Sequence, residues 1–310
     1  MPELPEVETI ARELRPLVIG RRITGVSLDW PRQVKHPSVE KFLAGVRDRG
    51  ILAVDRRAKW LVVSLSGRDD GDGADLPGDE AVLVIQVKMT GQLDVVAPDE
   101  PRDKHVHVVF DLDDGRELRL RDTRKFGRVG LYQRNDAGSV LGADEATDLF
   151  KMFGPEPLDP EFSLAAFRRR LRSRRARLKP LLMDQAFLAG VGNIYADEAL
   201  WRARIHPLRT AATLRPAQER ELYHSLRAVL AEAIDRRGSS VDDYRAPEGR
   251  GDMQRFLNVY GRTGKPCPRC GRPTRRIVIG ARSTHFCSWC QRLPARERTA
   301  QAQALLAAAR

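Results

Sequence analysis

Four cysteines carry the plainest chemistry in this sequence. Cys267 and Cys270 enclose two residues, sixteen residues follow, and Cys287 and Cys290 enclose two more. Each C-x2-C pair sets two thiolates on one tight turn. Two such turns close a tetrahedral four-sulfur site with no position left for water, so the expected chemistry is that of a structural zinc. The same ligands also suit iron, and two disulfides are the competing arrangement, which a cytosolic setting disfavours. Between the pairs, GRPTRRIVIGARSTHFC alternates like a β-hairpin and carries Arg272, Arg275, Arg276 and Arg282. A metal supplies the rigidity that so small a core cannot, and a basic hairpin held in this way suits phosphate. A second feature, AGVGNIYADEAL, is a Gly-rich turn entering a helix at Asn193. Its backbone N–H groups and the side-chain amide suit phosphate at a helix start. Neither feature specifies a reaction.

The scaffold behind these groups has 310 residues, enough for two domains with buried cores. At 42% hydrophobic and 31% charged residues, the composition is that of a folded soluble protein and excludes a disordered chain. Lys and Arg number 54 against 42 acids, a formal net charge of +12 that attracts polyanions. Nucleic acid is the first candidate, although a membrane surface or a ribosome would also answer to charge alone. No run of eighteen apolar residues exists, and the start MPELPEVETI is acidic and has no apolar core. The expectation is therefore a cytoplasmic protein with no membrane partner.

Short runs with apolar and polar alternation, such as ITGVSL, ILAVDRR and KWLVVSLSG, occupy 23–66, and further runs follow at 81–87, 106–112, 117–121 and 128–132. They predict an antiparallel sandwich or barrel. VETIARELRPLVIG before them reads as an amphipathic helix over about 6–18, stopped by Gly20. The acidic stretch 67–80 predicts an exposed hairpin loop that points away from any DNA-binding face. From about 145 to 237 the period turns helical, with Pro216 near a helix start and Gly238 after the last helix. Residues 238–265 read as a linker or binding loop, and the Ala- and Arg-rich tail after 295 is expected to fray.

Six segments in order, MPELPEVET, RRAKWLVVSL, KMTG (88–91), DTRKFG (122–127), MDQAFLAGVGNIYADEAL (183–200) and the four-cysteine ribbon, resemble the bacterial formamidopyrimidine-DNA glycosylases. The resemblance spans about 1–293. It implies an α+β fold: an N-terminal β-sandwich flanked by helices over 1–140, a helix-two-turn-helix domain over 141–238, a lid or linker over 239–262, a β-hairpin zinc finger over 263–293 and a tail over 294–310.

The same resemblance implies a bifunctional DNA glycosylase and abasic-site lyase that excises oxidised purines, 8-oxoguanine and formamidopyrimidines, from duplex DNA. After removal of Met1, the secondary amine of Pro2 attacks C1′ of the damaged nucleotide. It displaces the base and forms a Schiff base, which β- and δ-elimination then resolve by cutting the strand. Glu3 resembles the proton donor, Glu6 its supporting acid, Lys59 a lysine reaching the scissile region, and Arg282 the zinc-finger arginine on the phosphates flanking the lesion. The target base must leave the stack. Met89, Arg124 and Phe126 resemble the residues that fill the void, with Arg124 on the orphaned cytosine. His105, Arg174, Lys179, Asn193, Tyr260 and Arg262 are further expected DNA contacts, and 239–251 matches the place of a lid over the extruded base.

The implied cofactor is one structural Zn²⁺ bound by Cys267, Cys270, Cys287 and Cys290, with no organic cofactor. The implied partner is double-stranded DNA containing oxidised bases or abasic sites, met by a monomer at the nucleoid. The chain departs from the pattern at Gln86 and Lys88, which stand in QVKMTG where many relatives read HLGMTG, and in the 67–80 insertion. An endonuclease VIII-like enzyme for oxidised pyrimidines is the nearest alternative. It usually has Gly where this chain has Leu4, and its void-filling residues differ. A catalytically silent DNA-binding relative is the other alternative, against which stand Pro2 and Glu3.

Overall fold

The computed structural model describes residues 2–68, 80–144, 146–240 and 246–309. Residues 69–79, most of the acidic insertion, and 241–245, the middle of the expected lid, lie outside them. The chain forms two compact units, 1–152 with 236–252, and 153–235 with 253–310.

The first unit is built on α1 (Leu4–Val18) and an eight-stranded sheet: β1 (Arg22–Leu28), β2 (Arg49–Arg57), β3 (Trp60–Arg68), β4 (Ala81–Gln86), β5 (Gly91–Val96), β6 (Val106–Leu112), β7 (Glu117–Asp122) and β8 (Arg128–Gln133). The strand order is β5-β7-β6-β1-β2-β3-β4-β8, and every pairing is antiparallel. Register shifts in the β1–β6, β2–β3 and β6–β7 ladders mark where the sheet bends into a sandwich. Val7, Ile10, Ala11, Leu14 and Val18 recur at helical spacing and bury one face of α1 against Ile51, Val54, Leu93, Phe110 and Leu120 of the sheet. A short helix, α2 (Val39–Val46), adds Phe42 and Val46 to this core, and the Ser38 hydroxyl caps it. The first helix thus begins two residues before the periodic pattern does, because its cap is acidic.

The second unit contains α3 (Leu164–Arg172), α4 (Leu178–Met183), α5 (Asn193–Arg202), α6 (Pro216–Asp235), the hairpin β9 (Arg275–Ile279) with β10 (Arg282–Phe286), and α7 (Ala300–Ala307). The tail does not fray as expected. The Thr299 hydroxyl caps α7, and Ala302, Leu305 and Leu306 pack on Ile277, Phe286 and Leu293 of the ribbon. Glu297 just before it binds Arg209, the Thr210 N–H and the Thr213 hydroxyl. The alternation of Ala and Gln hides this helix because its apolar stripe is only three or four side chains wide.

Candidate active site and metal centre

In the first unit, Pro2 is buried directly ahead of α1. Glu3 is the N-cap and Glu6 the third helical residue, and the two exchange a capping box in which the Glu3 N–H donates to Glu6 Oε2 at 2.8 Å. Both are almost wholly buried, Glu3 at 3% and Glu6 at 1% exposure. The second Glu6 oxygen accepts the Ser239 N–H at 2.8 Å. Gly238 precedes it at φ +74°, and a side chain there would meet Glu6 Cγ at 2.8 Å, so only glycine lets the chain pass. Two turns further along α1, Glu13 accepts from Arg237 Nε and from the Glu248 N–H. Two acids on one helix therefore hold both ends of the expected lid. Ala246, fully buried in the sheet's core, completes the anchor.

Lys59 sits in the two-residue turn that joins β2 to β3, opposite the Arg57–Trp60 pair, and is partly exposed. Met89, Arg124 and Phe126 come together at the tips of two loops. The Arg124 guanidinium donates to Met89 Sδ at 3.3 Å and lies 4.8 Å from the centre of the Phe126 ring, which is 43% exposed. Asp122, fully buried at the end of β7, holds both loops: it accepts from the Thr90 hydroxyl, from the Arg124 N–H at 3.2 Å and from the Gly127 N–H at 2.6 Å. Sequence reasoning missed Asp122 as a positioning residue. Its signal was an acid ending a strand immediately before TRKFG. His105 lies near the same strand end, where its carbonyl accepts the Asp122 N–H, and its side chain is partly exposed.

In the second unit, Gly192 caps α5, and Asn193 begins it with a partly exposed side chain whose amide donates to Tyr260 Oη at 3.5 Å. Lys179 departs from the expectation of a direct phosphate contact. It is 1% exposed, and its ammonium is taken by Asp197 and by the Asn193 carbonyl at 2.9 Å. A cation so buried is retained only when paired, so Lys179 holds the Asn193 turn from beneath. Asp197 also accepts the His285 N–H of β10 at 2.8 Å. Its neighbour Glu198, fully buried, accepts the N–H groups of Asn258, Val259 and Tyr260. Burial holds the Glu198 carboxyl above the usual carboxylate range, outweighing the downward pull of these amides. This consecutive acid pair ties α5 to the ribbon and to the Tyr260 loop, a role invisible in NIYADEAL alone. Arg174 is exposed after α3, and Arg262 is partly exposed with one guanidinium nitrogen on the Pro266 carbonyl at 3.3 Å. Arg282 is exposed beside the Gly280–Ala281 turn of the β9–β10 hairpin, whose two residues both have positive φ.

The four thiols converge, every sulfur within 4.8 Å of the others. Cys267 and Cys290 stand 4.0 Å apart and Cys270 and Cys287 3.5 Å, close to the edge of about 3.8 Å expected of a tetrahedron with metal–sulfur bonds of about 2.3 Å. Burial and its thiol neighbours push Cys290 up to about 12, whereas at Cys267 the upward push of burial is outweighed by hydrogen bonds led by that of Trp201 Nε1, which bring it to about 7. Thiols this crowded cannot all ionise beside one another unless a cation neutralises them. The donor set is thus that of one structural zinc.

These features define a two-unit protein whose second unit is pinned by a four-thiol zinc ribbon. The formamidopyrimidine-DNA glycosylase N-terminal domain matches residues 1–129, the H2TH domain of the same glycosylases matches 153–245, and the zinc finger found in FPG and IleRS matches 264–293. A formamidopyrimidine-DNA glycosylase of Chloroflexus aurantiacus is 49% identical over 293 residues, covering 94% of this chain and 98% of its own. One from Herpetosiphon aurantiacus is 45% identical and covers 94% and 100%. Among solved structures, the MutM (Fpg) protein of Thermus thermophilus is 41% identical with a TM-score of 0.78 over 94% of this chain and 98% of that one. A Lactococcus lactis Fpg in complex with abasic-site-containing DNA is 34% identical with a TM-score of 0.82 over 94% and 100%. The chain belongs to the formamidopyrimidine-DNA glycosylase family.

Proposed function

We propose that the protein is a bifunctional DNA glycosylase and abasic-site lyase that removes oxidised purines through a Pro2 Schiff base. The observation that carries this reading is that Pro2 is buried and directly precedes the buried Glu3–Glu6 capping box. Once Met1 is removed, an N-terminal secondary amine stands where the positive end of α1 and the carboxyl of Glu3 act on whatever approaches it. An α-amine begins with a lower pKa than a lysine ammonium and so supplies neutral nucleophile near pH 7. Its attack on C1′ breaks the glycosidic bond. Glu3 donates the proton that the departing base needs, and loss of the N–H proton and ring opening leave an iminium. That iminium acidifies the neighbouring sugar proton, so the 3′-phosphate leaves by β-elimination and the 5′-phosphate by δ-elimination.

Glu6 positions Glu3 through its backbone N–H and holds the base of the lid through Ser239. Lys59 reaches the phosphate side of the reacting sugar. Met89, Arg124 and Phe126, already in mutual contact, fill the gap left by the extruded nucleotide, which favours a purine opposite cytosine. Arg282, Arg174, Asn193, Tyr260, Arg262 and His105 bind the backbone, and zinc supplies the ribbon's rigidity. A protein engaged with DNA in this way works at the nucleoid. No described helix is long and apolar enough to cross a membrane.

Borohydride trapping tests the proposal on duplexes carrying 8-oxoguanine opposite cytosine or an oxidised pyrimidine, followed by peptide mapping of the adduct. A Pro2 adduct that forms faster on 8-oxoguanine is the expected result. Faster trapping on the pyrimidine would point to endonuclease VIII-like specificity, and binding with neither adduct nor cleavage would point to a silent DNA-binding relative.

A further inference from the structure

Three cations from separate segments are brought together by the backbone at the foot of the Met89 loop. Arg128 begins β8 directly opposite Gln86, the last residue of β4, and Lys88 stands two residues beyond Gln86. The Lys35 N–H donates to the carbonyl of Val129, the next residue of β8, at 2.8 Å, beside a parallel bridge between Val34 and Val129. Lys35 is exposed, and Lys88 and Arg128 are partly exposed.

Two observations show that this gathering is unfavourable in the free protein. Lys88 has φ +56°, the left-handed region that a side chain rarely adopts. Its ammonium is also held below the ordinary lysine range, first by burial and then by the like charges of Arg128 and Lys35. The Arg128 guanidinium is itself turned toward the second tip loop, with one nitrogen on the Lys125 and Gly127 carbonyls at 3.2 and 2.8 Å. Strain and like-charge repulsion at one point are characteristic of a site completed by a ligand of opposite charge.

We propose that Lys88, Arg128 and Lys35 form a phosphate-binding subsite for the DNA backbone beside the void-filling residues. This deepens the DNA-repair reading and rests on it. Lys88 directly precedes Met89, so a phosphate held here would draw in the loop that carries the wedge. The subsite thereby couples backbone contact to insertion.

The test is the salt dependence of binding to a duplex containing a tetrahydrofuran abasic-site analogue, measured for the wild type and for Lys88→Gly, Lys88→Met and Lys88→Arg. Loss of one phosphate contact is expected to reduce the slope of log K against log salt by about one in the Gly and Met variants, and Arg to restore it. The Gly variant is also expected to melt about 2 °C higher than the wild type, since it relieves both the left-handed backbone and the charge cluster. A gain in stability with a loss of affinity separates a binding role from a structural one. Unchanged slopes in the Gly and Met variants, with Pro2 trapping intact, would overturn the subsite and leave the glycosylase reading standing. The slope change without any trapped adduct in the wild type would sustain the subsite and sink that reading.

Discussion

At Glu3 the helix cap that the structure shows and the proton donor proposed above fall on one side chain, and the two separate experimentally. Glu3→Gln keeps a capping group but loses the proton. Base excision from 8-oxoguanine DNA is expected to slow by roughly 10²–10⁴-fold, the usual worth of a general acid. Cleavage of a preformed abasic site, from which no base departs, should survive; equal losses in both assays would mean that Glu3 only shapes the site. Far from this chemistry, His206 offers a pH prediction. Burial, and then Arg177, Arg209 and Arg298, push its imidazole down to about 3 from an ordinary 6.5. Between those values the unfolded chain binds a proton that the folded chain refuses, so stability falls as pH falls through this window and is unaffected above it. Urea midpoints at pH 7 and pH 5 should show the wild type losing about 2 kcal/mol more than His206→Gln. The same loss in both would assign the acid sensitivity elsewhere.

Elements, in contrast to single residues, were partly written in local pattern. The cysteine spacing announces the ribbon, and alternation announces most strands, because each depends on neighbours along the chain. The burial of Lys179 by Asp197 and the hold of Glu198 on residues 258–260 were illegible, since each pairs groups well separated in sequence. Polar spacing reads alike whether a charge is buried or solvated. The helix α7 was missed for the opposite reason: its stripe is narrow, and its order comes from the ribbon it covers. Deleting residues 294–310 should therefore cost about 2–4 kcal/mol through exposure of Ile277, Phe286 and Leu293 and loss of Glu297. Thermal unfolding with zinc bound would measure it, and an unchanged midpoint would make α7 an ornament of the surface.

For the molecule as a whole, the two units keep separate cores, and all four thiols lie in the second. Chelation of the metal should deprotect the amides of 275–286 in hydrogen exchange while those of the sheet in the first unit stay protected. Loss of protection in both would show one cooperative structure. The division also has a consequence for how the protein is made. The first unit is completed by 236–252, so the helix bearing Glu6 and Glu13 must wait for Ser239, Arg237 and Glu248 until more than two hundred further residues have been translated. At about 5–20 residues per second, that is roughly ten seconds to most of a minute on the ribosome. Through that interval the backbone and side-chain partners of Glu6 and Glu13 do not yet exist, so the start of the chain is exposed to processing before the first unit is complete.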